Sequence, residues 1–287
     1  MRFLVVLVFM LVSMPLLAMD ALDKRMKEED WDNYSPFTLL PHRNNFLQPL
    51  SYAKGLQETI NRDGDSAPME RFETKFQLSL KTPLWSRVYQ DKGYLFFAFT
   101  QQAYWQSYNS EVSSPFRETN YEPELILAFP HFLGVDQAAS RILSVSLSHQ
   151  SNGRAGDLSR SWNRIKLNWV GSVGDVFVSV TPWYRFPEKT KRFEGDPKGD
   201  DNPDISHYMG YFEIAAAYKN QSETYRLMVR NNLKGDNKGA LQLSYSRPMN
   251  KYLRWYVSFF TGYGDSLIDY NRSVTRFGLG FELNDVI

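Results

Sequence analysis

Leu143-Ser-Val-Ser-Leu-Ser-His-Gln-Ser151 and Asn163-Arg-Ile-Lys-Leu-Asn-Trp169 alternate with a period of two, the spacing that sends successive β-strand side chains to opposite faces. In the first stretch Leu143, Val145, Leu147, His149 and Ser151 share one face, with Ser144, Ser146, Ser148 and Gln150 on the other. In the second, Asn163, Ile165, Leu167 and Trp169 share the apolar face, opposite Arg164, Lys166 and Asn168. If the two stretches are antiparallel neighbours, His149, Ser151 and Asn163 gather where two apolar stripes end. Such a cluster is a candidate catalytic triad, because a triad is recognised by geometry and roles and not by order along the chain.

The same alternation recurs outward from there. Twelve segments carry it, at about 45–54, 69–82, 93–108, 118–131, 140–151, 161–172, 175–187, 206–219, 222–232, 237–246, 250–263 and 273–284. Phe72, Phe76, Leu78 and Leu80 oppose Glu73, Lys75, Gln77 and Lys81, and Phe277, Leu279, Phe281 and Leu283 oppose Arg276, Glu282 and Asn284. Soluble strands average about 5–6 residues, whereas tilted membrane strands need about 9–11; most of these runs are long enough for the second. Connections after even segments are mostly short (Gly171–Asp175, Lys219–Ser222, Arg247–Asn250), and those after odd segments are often long and polar (55–68, 109–117, 152–160, 188–205). Short periplasmic turns and long outer loops mark bacterial membrane barrels. The expectation is an all-β chain: a twelve-stranded antiparallel transmembrane up-and-down β-barrel over residues 45–287, with Arg164, Lys166 and Glu282 facing its lumen. On that topology the candidate triad lies on the outside of the barrel at the level of the outer leaflet, so its substrate should be membrane lipid.

Upstream, Met1-Arg2 and the apolar Phe3–Leu17 run to Ala18 read as a cleaved signal peptide, residues 1–18, too short for a span of about 20 residues. Residues 19–44 are expected to be an N-terminal extension. With no cysteine in the chain, disulfides, zinc-thiolate sites and thiol catalysis are excluded. A net charge of +1 gives no electrostatic reason to bind nucleic acid. The 17 Tyr, 20 Phe and 7 Trp fit the aromatic girdles of a barrel. Within the triad, His149 would take the proton of Ser151 and Asn163 would orient the imidazole. In Ser151-Asn-Gly153 the flexible Gly153 lets backbone N–H groups converge on an oxyanion.

At this point the residues carry a family likeness. His149-Gln-Ser-Asn-Gly-Arg-Ala-Gly-Asp-Leu-Ser-Arg-Ser-Trp-Asn163 resembles the active-site stretch of outer-membrane phospholipase A. Further matches are Ser113-Ser-Pro-Phe-Arg-Glu-Thr-Asn-Tyr-Glu-Pro123, Asp201-Asn-Pro-Asp-Ile205, Tyr208-Met-Gly-Tyr211 and Gly262-Tyr-Gly-Asp-Ser-Leu-Ile-Asp-Tyr-Asn271. The resemblance implies a calcium-dependent hydrolase of phospholipid and lysophospholipid acyl esters in the bacterial outer membrane, active as a homodimer. It implies Ser151 as nucleophile, His149 as base, Asn163 as its orienter, and the Gly153 N–H in the oxyanion hole. It further implies Ca2+ held by the Arg154 carbonyl and Ser159, with Ser113 supplied by the second subunit. A glutamine at the dimer contact fits Gln101, a polar interruption of the lipid-facing stripe Leu95, Phe97, Phe99, Gln101, Ala103 and Trp105, since an amide in lipid needs a partner.

Departures from the family pattern fall in the loop Ala155-Gly-Asp-Leu158, where an acid is displaced to Asp157, and at the end Asn284-Asp-Val-Ile287. The first puts a second calcium site in doubt. Asp200, Asp201 and Asp204 could bind cations or be merely solvated. The competing reading is a non-catalytic outer-membrane barrel, a pore or a structural protein.

Overall fold

In the computed structural model, which describes residues 38–57, 59–62, 65–89, 92–130, 141–173, 175–193, 196 and 198–283, twelve antiparallel strands close into one barrel. They are β1 (Phe46–Lys54), β2 (Phe72–Tyr89), β3 (Lys92–Trp105), β4 (Phe116–Pro130), β5 (Arg141–Ser151), β6 (Ser161–Val173), β7 (Val176–Arg185), β8 (Phe212–Asn220), β9 (Glu223–Asn231), β10 (Gly239–Pro248), β11 (Arg254–Gly262) and β12 (Val274–Glu282). Each strand pairs with the next, and the ring closes where β12 meets β1 in the register Phe277↔Tyr52 and Leu279↔Leu50. Pro49 interrupts β1, and the ladders on both of its sides shift register there, since proline has no N–H to donate. The signal peptide expected at 1–18, most of the 19–44 extension and residues 284–287 lie outside the described residues.

Parity sorts the side chains as expected. Leu147 is 51% exposed and Leu167 44%, while Ser148 and Lys166 beside them are 4% and 7% exposed. The exposed face is therefore the apolar one, which suits lipid. Two aromatic groups cap that apolar wall. Tyr218, Tyr225 and Tyr245 stack across β8–β10, near the short turns. Trp105, Phe116 and Phe76 pack at the other end.

Arg164, Lys166 and Glu282 are buried in the lumen, and each is ion-paired there. Glu122 accepts from Arg43, Arg164 and Lys166 at 2.9–3.0 Å. Glu73 and Asp269 flank Arg117, and Asp265 holds Lys75 and Arg276. Removing either member of such a pair would strand a buried charge. The Glu122 and Asp265 clusters line a cavity of about 670 Å3.

Three features depart from the sequence reading. The eighth strand, expected from residue 206, begins at Phe212; Ile205–Met209 instead form a short helix, α1, ended by Gly210 at φ 73°. Ile205 and Met209 are buried with Trp162, Trp183, Leu267 and Tyr270, an apolar cap over the lumen that outweighs the local alternation. The second strand runs on to Tyr89, against Lys92 of β3. The end of the extension is also structured: Leu40–Pro41 pair with Leu80–Lys81, and His42 and Arg43 reach Glu124 and Glu122 inside the barrel.

Candidate active site

β5 and β6 bring the three triad candidates together. Their register sets His149 opposite Asn163, Gln150 opposite Trp162 and Ser151 opposite Ser161. Because directly paired residues lie on one face, His149 and Asn163 both project from the outer wall, with Ser151 two residues along the same column. His149 Nδ1 lies 2.8 Å from Asn163 Oδ1. The inward neighbours are occupied otherwise: Trp162 donates its indole N–H to Gln150 at 2.7 Å, and the Arg164 guanidinium stacks 3.8 Å over the Trp162 ring. The Ser151 hydroxyl is not hydrogen-bonded to the imidazole. Such bonds are often long before substrate binds.

Beyond Ser151 the chain leaves the ladder in a turn built around Asn152. This side chain is buried; its Oδ1 accepts from the backbone N–H of Arg160 at 2.9 Å and of Arg154 at 3.3 Å. Its Nδ2 donates to the Leu158 carbonyl at 2.8 Å. One amide thus ties down the loop holding Gly153, Arg154 and Ser159. Gly153 has φ +64°, a left-handed conformation that glycine adopts without strain, and a Cβ there would lie 3.3 Å from the Tyr121 ring.

The proposed calcium ligands fall in two places. Arg154 is anchored by its side chain, which pairs with Glu118 at 3.3 Å and donates to the Arg117 carbonyl. Ser159 donates its hydroxyl to Asp201 at 2.6 Å, and Lys191 pairs with the other oxygen of that carboxylate. Ser113 stands apart, exposed on the loop between β3 and β4 at φ 60°. Asp200 and Asp204 are not merely solvated. Asp200 pairs with Arg185 at 2.5 Å, and Asp204 accepts from the Tyr270 hydroxyl. Burial, reinforced by that contact, raises the Tyr270 pKa. Asp157, in the turn Gly156–Leu158, is exposed. Gln101 lies on the outer wall between Leu78 and Tyr121, and Tyr121 pairs with Ser151. Gln101, Tyr121 and Ser151 thus form one row, spanning two strand spacings or about 10 Å.

Sequence reasoning missed Asn152 and Glu188 as site residues. The first sits between two that it chose, and only the side-chain-to-backbone bonds distinguish it. The second lies in a loop without periodicity, yet accepts from Asn163 Nδ2 at 3.2 Å.

Comparison with known proteins sets this geometry in context. A family model described as phospholipase A1 matches residues 22–283. The phospholipase A1 of Klebsiella pneumoniae is 38% identical over 259 residues, covering 90% of this chain and 86% of that protein. The one from Escherichia coli K12 is 38% identical over 258 residues, covering 90% and 85%. Among solved structures, the Salmonella typhi outer membrane phospholipase dimer with bound calcium superposes with a TM-score of 0.76 at 35% identity, covering 90% of this chain and 96% of that one. Outer membrane phospholipase A from E. coli, and its asparagine-to-alanine active-site mutant, each give a TM-score of 0.77 at 36% identity with the same coverage. The chain belongs to the phospholipase A1 family.

Proposed function

We propose that this outer-membrane barrel hydrolyses acyl esters of membrane phospholipids and lysophospholipids with Ser151, His149 and Asn163, depends on calcium, and works as a homodimer. The observation that carries the reading is the 2.8 Å contact between His149 and Asn163 on the lipid-facing wall, with Ser151 in the same column. Polar residues there have no lipid to satisfy them. The solved relative with a mutated active-site asparagine supports a role for Asn163. The ion pairs across the lumen argue against the alternative of an open pore.

With Nδ1 protonated and bonded to Asn163, the imidazole Nε2 is free to accept the Ser151 proton as Oγ attacks the acyl carbon. The proton then passes to the departing alkoxide of the lysophospholipid. Water next takes the place of Ser151 as nucleophile and releases fatty acid. The N–H of Gly153 is available to the oxyanion, and a single such donor is worth about 10²–10³ in kcat.

The metal set fits a hard cation. The Arg154 carbonyl, the Ser159 hydroxyl and a partner subunit's serine are all oxygen donors, which calcium accepts together with water. Asp201, 2.6 Å from Ser159 and paired with Lys191, sets the position of the Ser159 hydroxyl. Calcium bound there would supply positive charge beside the developing oxyanion, offsetting the neutral third member of the triad. The row from Gln101 to Ser151 places the proposed dimer contact close to the nucleophile, so a second copy seated on β3 could bring its Ser113 loop to the site.

Replacing Ser151 with alanine should abolish fatty-acid release, and chelating calcium should stop turnover, each with the barrel still folded by heat-modifiable gel mobility. A fluorophosphonate should label Ser151 and no other serine. Turnover by pure Ser151→Ala protein would overturn the nucleophile assignment, and rates indifferent to chelator would remove calcium.

A further inference from the structure

Asn163 is held from two sides. Its Oδ1 faces His149 Nδ1 at 2.8 Å and its Nδ2 faces Glu188 Oε1 at 3.2 Å. Glu188 comes three residues after β7 ends, yet the chain is kept beside Asn163. The Phe186 N–H donates to the Asn163 carbonyl at 2.9 Å, extending the ladder one step past the Arg185↔Arg164 pair. Tyr184 and Phe186 are exposed on the outer wall and pack edge to face. Glu188, half-buried, continues on that side. Among the described residues no cation claims it. Arg185 is taken by Asp200, Lys191 by Asp201, Arg154 by Glu118, and Arg160 by the carbonyls of Asp157 and Ser159.

We propose that Glu188 is a positioning residue of the hydrolytic site, fixing the flip of the Asn163 amide and thereby the tautomer of His149. The inference rests on the triad reading above. An ionised carboxylate only accepts hydrogen bonds, so the face of Asn163 turned to it must be the NH2 group. The amide oxygen then faces the imidazole, and since it too only accepts, Nδ1 must carry the proton. Nε2 is left bare, the state a general base needs. If the amide turned over, its NH2 would face Nδ1, the ring proton would move to Nε2, and His149 could not take the proton of Ser151. The carboxylate also places negative charge behind a triad whose third member is neutral. During turnover the serine proton goes to Nε2 and on to the leaving alkoxide; none passes along Asn163 to Glu188.

The direct test is the imidazole itself. The chain has four histidines, so 15N-histidine labelling of the full protein in detergent gives a tractable spectrum in which His149 is assigned by its loss in His149→Gln. The native protein should show the Nδ1–H tautomer, and Glu188→Ala a mixture. In parallel, Glu188→Ala should lower kcat about tenfold, the low end of the loss seen when a partner that orients a metal-ligating histidine is removed, with KM unchanged. In an Asn163→Ala background the same change should cost nothing further, because Glu188 acts through that amide. A single Nδ1–H tautomer and native kcat in Glu188→Ala, with Ser151 still labelled by fluorophosphonate, would overturn the role of Glu188 while leaving the triad intact. So would an equal loss in both backgrounds. Failure of the native protein to label at Ser151 would instead overturn the triad, and this inference with it.

Discussion

Replacing Asn152 with alanine should uncouple the proposed calcium loop, residues 153–159, from the barrel. The side chain is 4% exposed and makes two good hydrogen bonds, 2.9 Å from the Arg160 N–H and 2.8 Å to the Leu158 carbonyl. Contacts with Arg154 and Glu118 at 3.3 and 3.4 Å are weaker. Alanine removes all four, while the main-chain bond from Asn152 to the Arg160 carbonyl remains. At about 1 kcal/mol net for each good bond, plus a smaller contribution from the long pair, the loop loses about 2–3 kcal/mol of ordering free energy. One factor of ten corresponds to about 1.4 kcal/mol, so the ratio of ordered to disordered loop falls about 30- to 150-fold. A site competent for only part of the time binds in proportion to that fraction. The calcium concentration for half-maximal fatty-acid release should therefore rise by up to about 100-fold, and saturating calcium should recover most of the rate. The barrel should be untouched, because the loss lies outside the β5–β6 ladder. The assay is fatty-acid release across a calcium titration in mixed micelles, with heat-modifiable mobility as the folding control. An unchanged calcium midpoint would refute the argument that this one amide holds the loop.

Two further outcomes follow from buried or paired groups. Gln101→Ala should weaken dimerisation in detergent, read by sedimentation, and with it the calcium-stimulated rate; an unaltered monomer–dimer balance would remove Gln101 from the contact. Asp265, in the outer loop after β11, supplies one part of the acid-sensitive stability. Burial alone would raise its pKa, but Arg276 and Lys75 outweigh that and hold the carboxyl well below the usual range. A depressed folded pKa contributes stability above the unfolded value near 3.9 and loses it as pH falls below that. The urea midpoint should therefore fall progressively from about pH 4 downward, and Asp265→Asn should flatten that slope while lowering stability at neutral pH; parallel slopes for both proteins would refute this.

The parts legible in the sequence are those in which one physical rule repeats. Every strand faces lipid on one side and a polar lumen on the other, so period-two alternation marks the wall, and a polar residue that breaks the apolar column stands out. His149, Ser151, Asn163 and Gln101 were all singled out as candidates in that way, and the register of β5 on β6 follows from the same parity. The rule fails where the environment stops alternating. Residues 206–211 read as the start of a strand, but Ile205 and Met209 are drawn into the apolar cap with Trp162 and Trp183, which favours a helical turn. His42 and Arg43 precede the first long strand, and only Glu122 and Glu124 on β4 explain where they go.

The loops show why site chemistry was less legible than site location. Asn152, Glu188 and Asp201 each reach a partner between 8 and 42 residues away, Arg160, Asn163 and Ser159, and no period-two pattern encodes such a contact. What the sequence does supply is chemical demand. A triad ending in a neutral amide needs something to hold that amide and something to supply charge, and each need narrows the search to an acceptor-only group within reach of Asn163 Nδ2. Among the described residues that group is Glu188. An unmet requirement in the wall thus points to a loop residue that periodicity could never have marked.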